Sequence, residues 1–311
     1  MIALPYLPAL CVRVKTTPPP AGAPAKEVAI SGASVMIGVG DIADCSSPGD
    51  EQTAVLVDSI LKADSAVKVD DAVFTLGDNA YPVGSVQNFN QCFTPSWGDP
   101  NKRIMKKIHP APGNHEHESE SAAPYYLYFG ERAGDSKKGY YAYDIGLWRA
   151  IVLNSSLIVE PQFTAADRKA QEDWLAADFK DHAKKCTVVM FHHPRFSSGF
   201  HGDDPRLEPL WQILYDANVD LVLNGHDHDY ERFLPQSPVG TLDTLRGIPE
   251  IVAGTGGGTL RGFRATPTRN SVNRIEGYFG VLKLTLGAAG YSWAFIDASG
   301  RIWDPGQWKC H

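Results

Sequence analysis

Apolar residues in this chain come in short runs that end in glycine, aspartate or histidine, and these runs predict the elements. Ala33 to Val39, Ala72 to Leu76, Cys186 to Phe191 and Val219 to Leu223 read as strands buried on both faces, the pattern of an α/β fold, and Ile104 to Ala111 is a weaker run of the same kind. Apolar positions at helical spacing predict helices over Glu51 to Ala63, Ala165 to Phe179 and Pro205 to Ala217. Tyr140 to Asp144 and Trp148 to Asn154 read as a hairpin. Three later runs, Pro249 to Ala253, Gly280 to Leu286 and Tyr291 to Ile296, are expected to form a second sheet packed on the first. Pro18-Pro19-Pro20, within Lys15 to Lys26, reads as an extended linker. Residues 1–27 are therefore expected to be an extension and residues 28–311 a single domain. Gly254 to Gly258 lacks the lysine and helix of a P-loop and is expected to be a close-packed turn.

The polar residues at the ends of these runs carry the candidate chemistry. The runs lead into Gly40-Asp41, Gly77-Asp78-Asn79-Ala80-Tyr81, Gly113-Asn114-His115-Glu116, His192 and Gly225-His226-Asp227-His228. Open α/β sheets place their sites outside the carboxyl ends of the strands, so donors scattered through the sequence can converge on one crevice. Asp41, Asp78, Tyr81, Asn114, His192, His226 and His228 supply carboxylate, phenolate, amide and imidazole donors, a mixed set that suits first-row transition metals better than calcium or magnesium alone. Seven donors are too many for one tetrahedral ion but suit two ions about 3.5–4 Å apart that share a carboxylate. Asp78, in the turn after its strand, is the natural bridge. Taken singly, Asp41 reads as a turn residue or helix cap, and the alternative for Tyr81 before Pro82 is loop packing.

In order and spacing the five segments resemble the metallophosphoesterase (calcineurin-like) superfamily, and Tyr81, three residues after the bridging aspartate, resembles the purple acid phosphatase branch. The likeness spans roughly Ser34 to Tyr230. It implies a four-layer sandwich of two packed mixed β-sheets flanked by helices, with the site at the strand ends. It also implies a first ion, Fe3+, on Asp41, Asp78, Tyr81 and His228, and a second, Fe2+, Zn2+ or Mn2+, on Asp78, Asn114, His192 and His226. Two departures stand out: Ile42-Ala43-Asp44 after Asp41, and His193-Pro194 after His192. The pattern around Asp44-Cys45, Gly77 to Pro82 and His192 to Gly199 looks closer to bacterial secreted metallophosphoesterases often labelled alkaline phosphatases.

The resemblance implies hydrolysis of phosphate monoesters by direct attack of a hydroxide held by the ions. The alternatives are a phosphodiesterase acting on nucleotides or phospholipid headgroups, and a non-catalytic metal-binding module. His115, beside Asn114, is placed to hydrogen-bond a phosphoryl oxygen or protonate the leaving alkoxide. His201, nine residues after His192, matches a substrate-facing histidine of the family, with an exposed loop histidine as the equal alternative. Arg195 is a candidate phosphate fork, or a solvated side chain.

Composition adds bounds. With 311 residues and 43% hydrophobic content the chain can bury a sizeable core. The net charge of −7 argues against nucleic acid as a partner, while a small phosphate ester stays compatible because bound ions supply the positive field. Met1 to Cys11 is apolar, without a basic start and too short to span a membrane. The five cysteines lie outside the proposed ligand set; Cys45 and Cys92 sit in loops leaving the site end of neighbouring strands, so a disulfide between them is expected in an oxidising compartment, with five reduced thiols as the alternative. Export to the exterior or the periplasm is the expectation.

Overall fold

The computed structural model describes residues 33–66, 70–182 and 186–311. The expectations for Met1 to Cys11 and Lys15 to Lys26 lie outside these residues. Two mixed sheets are flanked by helices. The first has the order β13-β12-β11-β1-β2-β3 and the second β10-β8-β9-β7-β6-β5-β4. The strands are β1 (Ser34–Val39), β2 (Asp71–Thr75), β3 (Ile108–His109), β4 (Tyr141–Ile145), β5 (Trp148–Val152), β6 (Cys186–Met190), β7 (Leu221–Asn224), β8 (Tyr230–Phe233), β9 (Glu250–Ala253), β10 (Ser271–Ile275), β11 (Gly280–Gly287), β12 (Gly290–Asp297) and β13 (Ile302–Lys309).

The runs that read as doubly buried are parallel strands. β1, β2 and β3 pair in parallel in the first sheet, as do β5, β6, β7 and β9 in the second. In the second sheet successive side chains serve two cores. Val188 and Met190 of β6, with Leu221 and Leu223 of β7, join the core between the sheets, while Val189 and Val222 face the outer cluster with Leu175, Leu210 and Trp211. That alternation across the pleat is why these runs are apolar at every position. The helices expected from periodicity appear as Gly49–Ala66, Ala165–Asp181 and, after a 3-10 turn at Pro205–Leu207, Glu208–Asp216. The Ala165 helix starts with Thr164 accepting from Asp167 N while Asp167 accepts from Thr164 N, a reciprocal cap.

The later runs do not form a separate sheet. β9 joins the second sheet beside β7, whereas β11 pairs antiparallel with β1 and brings β12 and β13 into the first. The weak run Ile104 to Ala111 becomes a 3-10 turn and a two-residue strand.

The Cys45–Cys92 disulfide is present, and a second bridge, Cys186–Cys310, was not expected. It ties the start of β6 in the second sheet to the end of the segment that completes the first. No helix among the described residues is long and apolar enough to cross a membrane.

This packing can be tested at two points. Cys186 and Cys310 are 124 residues apart, so Cys310→Ser should cost about 3–5 kcal/mol through the loop it releases. Urea unfolding measures it, and a loss below about 1 kcal/mol would exclude this bridge as a main tie. In β3, burial pushes the His109 imidazole, stacked 3.6 Å from the Tyr143 ring, down to about 4. This value lies below the ordinary 6.5, so the unfolded chain takes the proton first and stability falls as pH drops from about 6.5 to 4. His109→Phe keeps a stacked ring without the titration, so unfolding curves across that window should lack a pH-dependent loss of up to about 3 kcal/mol that the wild type shows.

Candidate metal centre

Both sheets aim their parallel strands at one cleft, and three of the turns there hold unusual backbone. Asp41, Asp78 and His226 have φ of 60°, 49° and 71°, in the left-handed region that side chains seldom occupy. Hydrogen bonds over-determine them: Asp41 N donates to Gly77 O, Ile42 N to Asp78 O, and His226 N to Asp41 Oδ2. The glycines leave room for neighbours. A Cβ on Gly77 would lie 2.5 Å from His192 Nδ1, and one on Gly254 2.7 Å from Asp41 Oδ2. The Gly254 to Gly258 segment is the expected close-packed turn, with Gly256 N on Gly40 O and Gly258 N on Asp41 O.

The seven sequence-selected donors meet in this cleft. Tyr81 Oη lies 2.9 Å from Asp41 Oδ1, 3.2 Å from Asp78 Oδ2 and 3.0 Å from His228 Nε2, and His228 Nε2 is 3.3 Å from Asp41 Oδ1. On the other side His192 Nε2 lies 3.2 Å from Asp78 Oδ2, 3.0 Å from Asn114 Oδ1 and 3.1 Å from His226 Nδ1. Asp78 Oδ2 therefore belongs to both groups. Bonds of about 2.1 Å to a six-coordinate ion put adjacent donors about 3.0 Å apart, so the spacing fits two ions sharing Asp78. The carbonyls of Leu76 and Thr259 can only accept, so Nδ1 of His192 and of His228 must carry a hydrogen, and Nε2 of each faces the cleft as the nitrogen that an ion would take in place of a proton.

The electrostatics favour cations. Asp41, Asp78 and Glu116 are buried together. Burial would raise the Asp78 carboxyl, but the His192 charge holds it well below the usual carboxylate range. Burial would lower His192, but the Asp78 charge raises it to about 10. Burial and then the charges of Asp41 and Asp78 push the Tyr81 phenol well above its ordinary value, so ionising it needs a positive charge close by. Burial and the neighbouring imidazoles hold His226 well below its usual range.

Glu116 stood in the sequence pattern only as the last residue of a segment, yet it joins two of the turns. Its Oε2 accepts from Gly113 N (2.7 Å) and Asp78 N (3.0 Å), and its Oε1 from Asn79 N (2.8 Å). Only its place three residues after a glycine that ends a run hinted at this, as the third residue of a short helix reaching back to its cap. Asp227 gave no signal of its own either: its Oδ1 accepts from His201 N at 2.8 Å and lies 3.1 Å from His201 Nδ1.

The other selected residues divide. His115 is on the rim, its N donating to Asp78 Oδ1 and its Nδ1 2.5 Å from Pro82 O. His201 stacks on His226 with ring centres 4.0 Å apart. Arg195 is a correction: it is buried away from the donors, its guanidinium on Glu208 and the Pro238 carbonyl, because Phe196 and Glu208 hold it inside the second sheet's outer layer. It is not available as a phosphate fork. His193, the departure after His192, bonds Ser155 Oγ through Nδ1 and forms with His192 and His226 a further close imidazole group.

Glu116→Gln leaves the shape but turns two acceptors into one acceptor and one donor facing N–H groups. It should weaken metal binding about 10–100-fold and destabilise by about 2–3 kcal/mol. Metal titration and thermal unfolding test this, and unchanged affinity would remove Glu116 from the site's support.

Residues 34–230 of the chain match the family described as calcineurin-like phosphoesterase. Purple acid phosphatase 17 of Arabidopsis thaliana is 28% identical over 206 residues, covering 58% of this chain and 60% of its own length. Acid phosphatase type 7 of Homo sapiens is 26% identical over 70% of this chain and 56% of its own. The chain thus spans less than two thirds of the length of these curated relatives. Among solved structures, the purple acid phosphatase PPD1 of yellow lupin superposes with a TM-score of 0.69 at 21% identity, over 92% of this chain and 55% of that one. GAP50, the anchor in the inner membrane complex of Plasmodium, superposes at 0.72 with 13% identity, over 90% and 89%. At such identities these two likenesses speak for the fold.

Proposed function

The chain belongs to the calcineurin-like phosphoesterase family, and from that premise we propose that it hydrolyses small phosphate monoesters with two metal ions, residues 28–311 acting as one catalytic unit. The observation that carries this reading is Asp78 Oδ2, within 3.2 Å of both Tyr81 Oη and His192 Nε2, where two donor groups meet. Asp41, Asp78, Tyr81 and His228 would hold the first ion, and Asp78, Asn114, His192 and His226 the second. A phenolate with two carboxylates is a hard anionic set that suits Fe3+, while imidazoles and an amide suit Fe2+, Zn2+ or Mn2+. When bound, the ions make water acidic enough to serve as nucleophile near neutral pH and set positive charge against the phosphoryl oxygens.

The remaining work falls to the protein. Leu76 and Thr259 carbonyls hold the Nδ1 hydrogens of His192 and His228, so Nε2 of each is the nitrogen that would bind an ion after giving up its proton. His115, with its side chain 30% exposed and Nε2 3.8 Å from Asp78 Oδ2, stands where an ester oxygen can take a hydrogen bond or the leaving alkoxide a proton. The named relatives, acid phosphatases, support a monoester over a diester. Two disulfides among the described residues support an oxidising compartment, outside the cell or in the periplasm.

The test is metal content, a visible spectrum and hydrolysis of mono- and bis-aryl phosphates on one sample. Two ions per chain are expected, with a visible band lost in Tyr81→Phe, turnover abolished by chelation and restored by metal, and a monoester rate at least about tenfold the diester rate, a barrier difference of about 1.4 kcal/mol. One ion or none after reconstitution, with neither ester turned over, would overturn the reading in favour of a binding module, and a faster diester would make it a phosphodiesterase.

A further inference from the structure

The rim of the cleft holds a cation that monoester hydrolysis at the donor cluster leaves unused. Arg261 lies in the loop after Gly258 and is fixed there by its own backbone, Arg261 N donating to His228 O at 3.1 Å. Its guanidinium Nη1 is 3.1 Å from His201 Nε2, and its carbon lies 4.9 Å over the Phe200 ring. A guanidinium only donates, so His201 Nε2 accepts from it, while His201 Nδ1 donates to Asp227 Oδ1. Asp227, His201 and Arg261 form a relay of hydrogen bonds, with the His201 ring stacked on His226. It ends on Arg261 at the mouth of the donor cluster.

The surrounding arginines are already committed. Arg195 pairs with Glu208, Arg206 with Asp204, and Arg264 donates to the carbonyls of Phe200 and His201. Among the described residues, no carboxylate pairs with Arg261. In a chain of net charge −7 this cation beside the cleft is thus left for an outside anion. Phe200 is 63% exposed, next to it, and offers an apolar face that nothing in the fold requires to be in water.

We infer that Arg261 and Phe200 form a specificity subsite for phosphate esters whose leaving group is a flat ring bearing its own anionic group. The inference rests on the phosphoesterase reading for the placement of the phosphoryl group at the donor cluster. Phe200 takes the ring face and Arg261 the second anion as a two-pronged donor. His201, held by Asp227 and accepting from Arg261, positions the guanidinium.

Binding tests this apart from turnover. Calorimetry on the metal-reconstituted protein compares 4-carboxybenzylphosphonate with 4-carbamoylbenzylphosphonate, equal in shape and different in charge. The carboxylate should bind about 5–10-fold tighter, the advantage falling to about onefold in Arg261→Gln, being partly kept in Arg261→Lys, and both ligands weakening together in Phe200→Ala. Equal binding of the two phosphonates by the wild type, or an advantage that survives Arg261→Gln, overturns the inference. Turnover of the matching aryl phosphates separates the two readings. Arg261-dependent binding without hydrolysis keeps the subsite and removes the hydrolase, hydrolysis without charge discrimination does the reverse, and neither binding nor hydrolysis removes both.

Discussion

The structure depends on one buried carboxylate. Asp78 sits between donors carried by both sheets, Tyr81 and the Asp41 turn from the first and His192 from the second. An ionised carboxylate in so dry a place costs several kcal/mol unless its oxygens are occupied. Here His115 N takes Oδ1 while Tyr81 and His192 crowd Oδ2. The sheets therefore have to approach at their carboxyl ends to within hydrogen-bond reach, and the glycines of the turns, Gly77 and Gly113 above all, make that approach sterically possible. A Cβ on Gly113 would lie 2.2 Å from Asp78 Oδ1.

Most of this was legible because parallel strands advertise themselves. A run that must fill two cores cannot alternate, and the polar residue that ends it is where the strand leaves the sheet. Asp41, Asp78, Asn114, His192, His226 and His228 were found by that rule, and Tyr81 by its spacing from Asp78. Pairing partners were not legible. Gly280 to Leu286 has the same apolar character whether it starts a new sheet or lies beside β1, and only the register of Leu282 against Gly38 decides it. Cys186–Cys310 was hidden for the same reason, since 124 residues separate two thiols that meet only after both sheets are complete. Arg195 failed differently. A residue type suited to phosphate is equally suited to a carboxylate, and here it pairs with Glu208, a choice that depends on which way one side chain turns out of the loop after β6.

The residues missed beside the donor cluster, Glu116 and Asp227, share one character: both are buried carboxylates used as acceptors, Glu116 for backbone N–H groups and Asp227 for the His201 N–H, the His201 ring and the Ser197 hydroxyl. Their function is to fix geometry, and geometry has no periodicity to read. Glu116 joins the Asp78 and Gly113 turns at three N–H groups, so one side chain sets the distance between the second and third donor segments. Asp227 points its carboxylate the other way, to the His201 loop, while its neighbours His226 and His228 face the donors. Two tight turns, with Asp227 N on Gly225 O and Asp229 N on Asp227 O, thus let consecutive residues serve the cleft and its rim at once.

Strain and charge have the same origin in this cleft. Left-handed backbone at Asp41, Asp78 and His226 costs on the order of 1–3 kcal/mol each, and it persists because it turns three donors inward at the ends of strands that would otherwise carry them past one another. Inward donors bring Asp41, Asp78 and Glu116 together in a site shielded from water, which costs further free energy in like-charge repulsion and desolvation. What lowers both is positive charge held between the sheets, whether the protonated His192 that Asp78 favours or cations on the two donor groups. The same arrangement that makes the cleft unfavourable when bare makes added positive charge stabilising there, which is the electrostatic condition that a cation site requires.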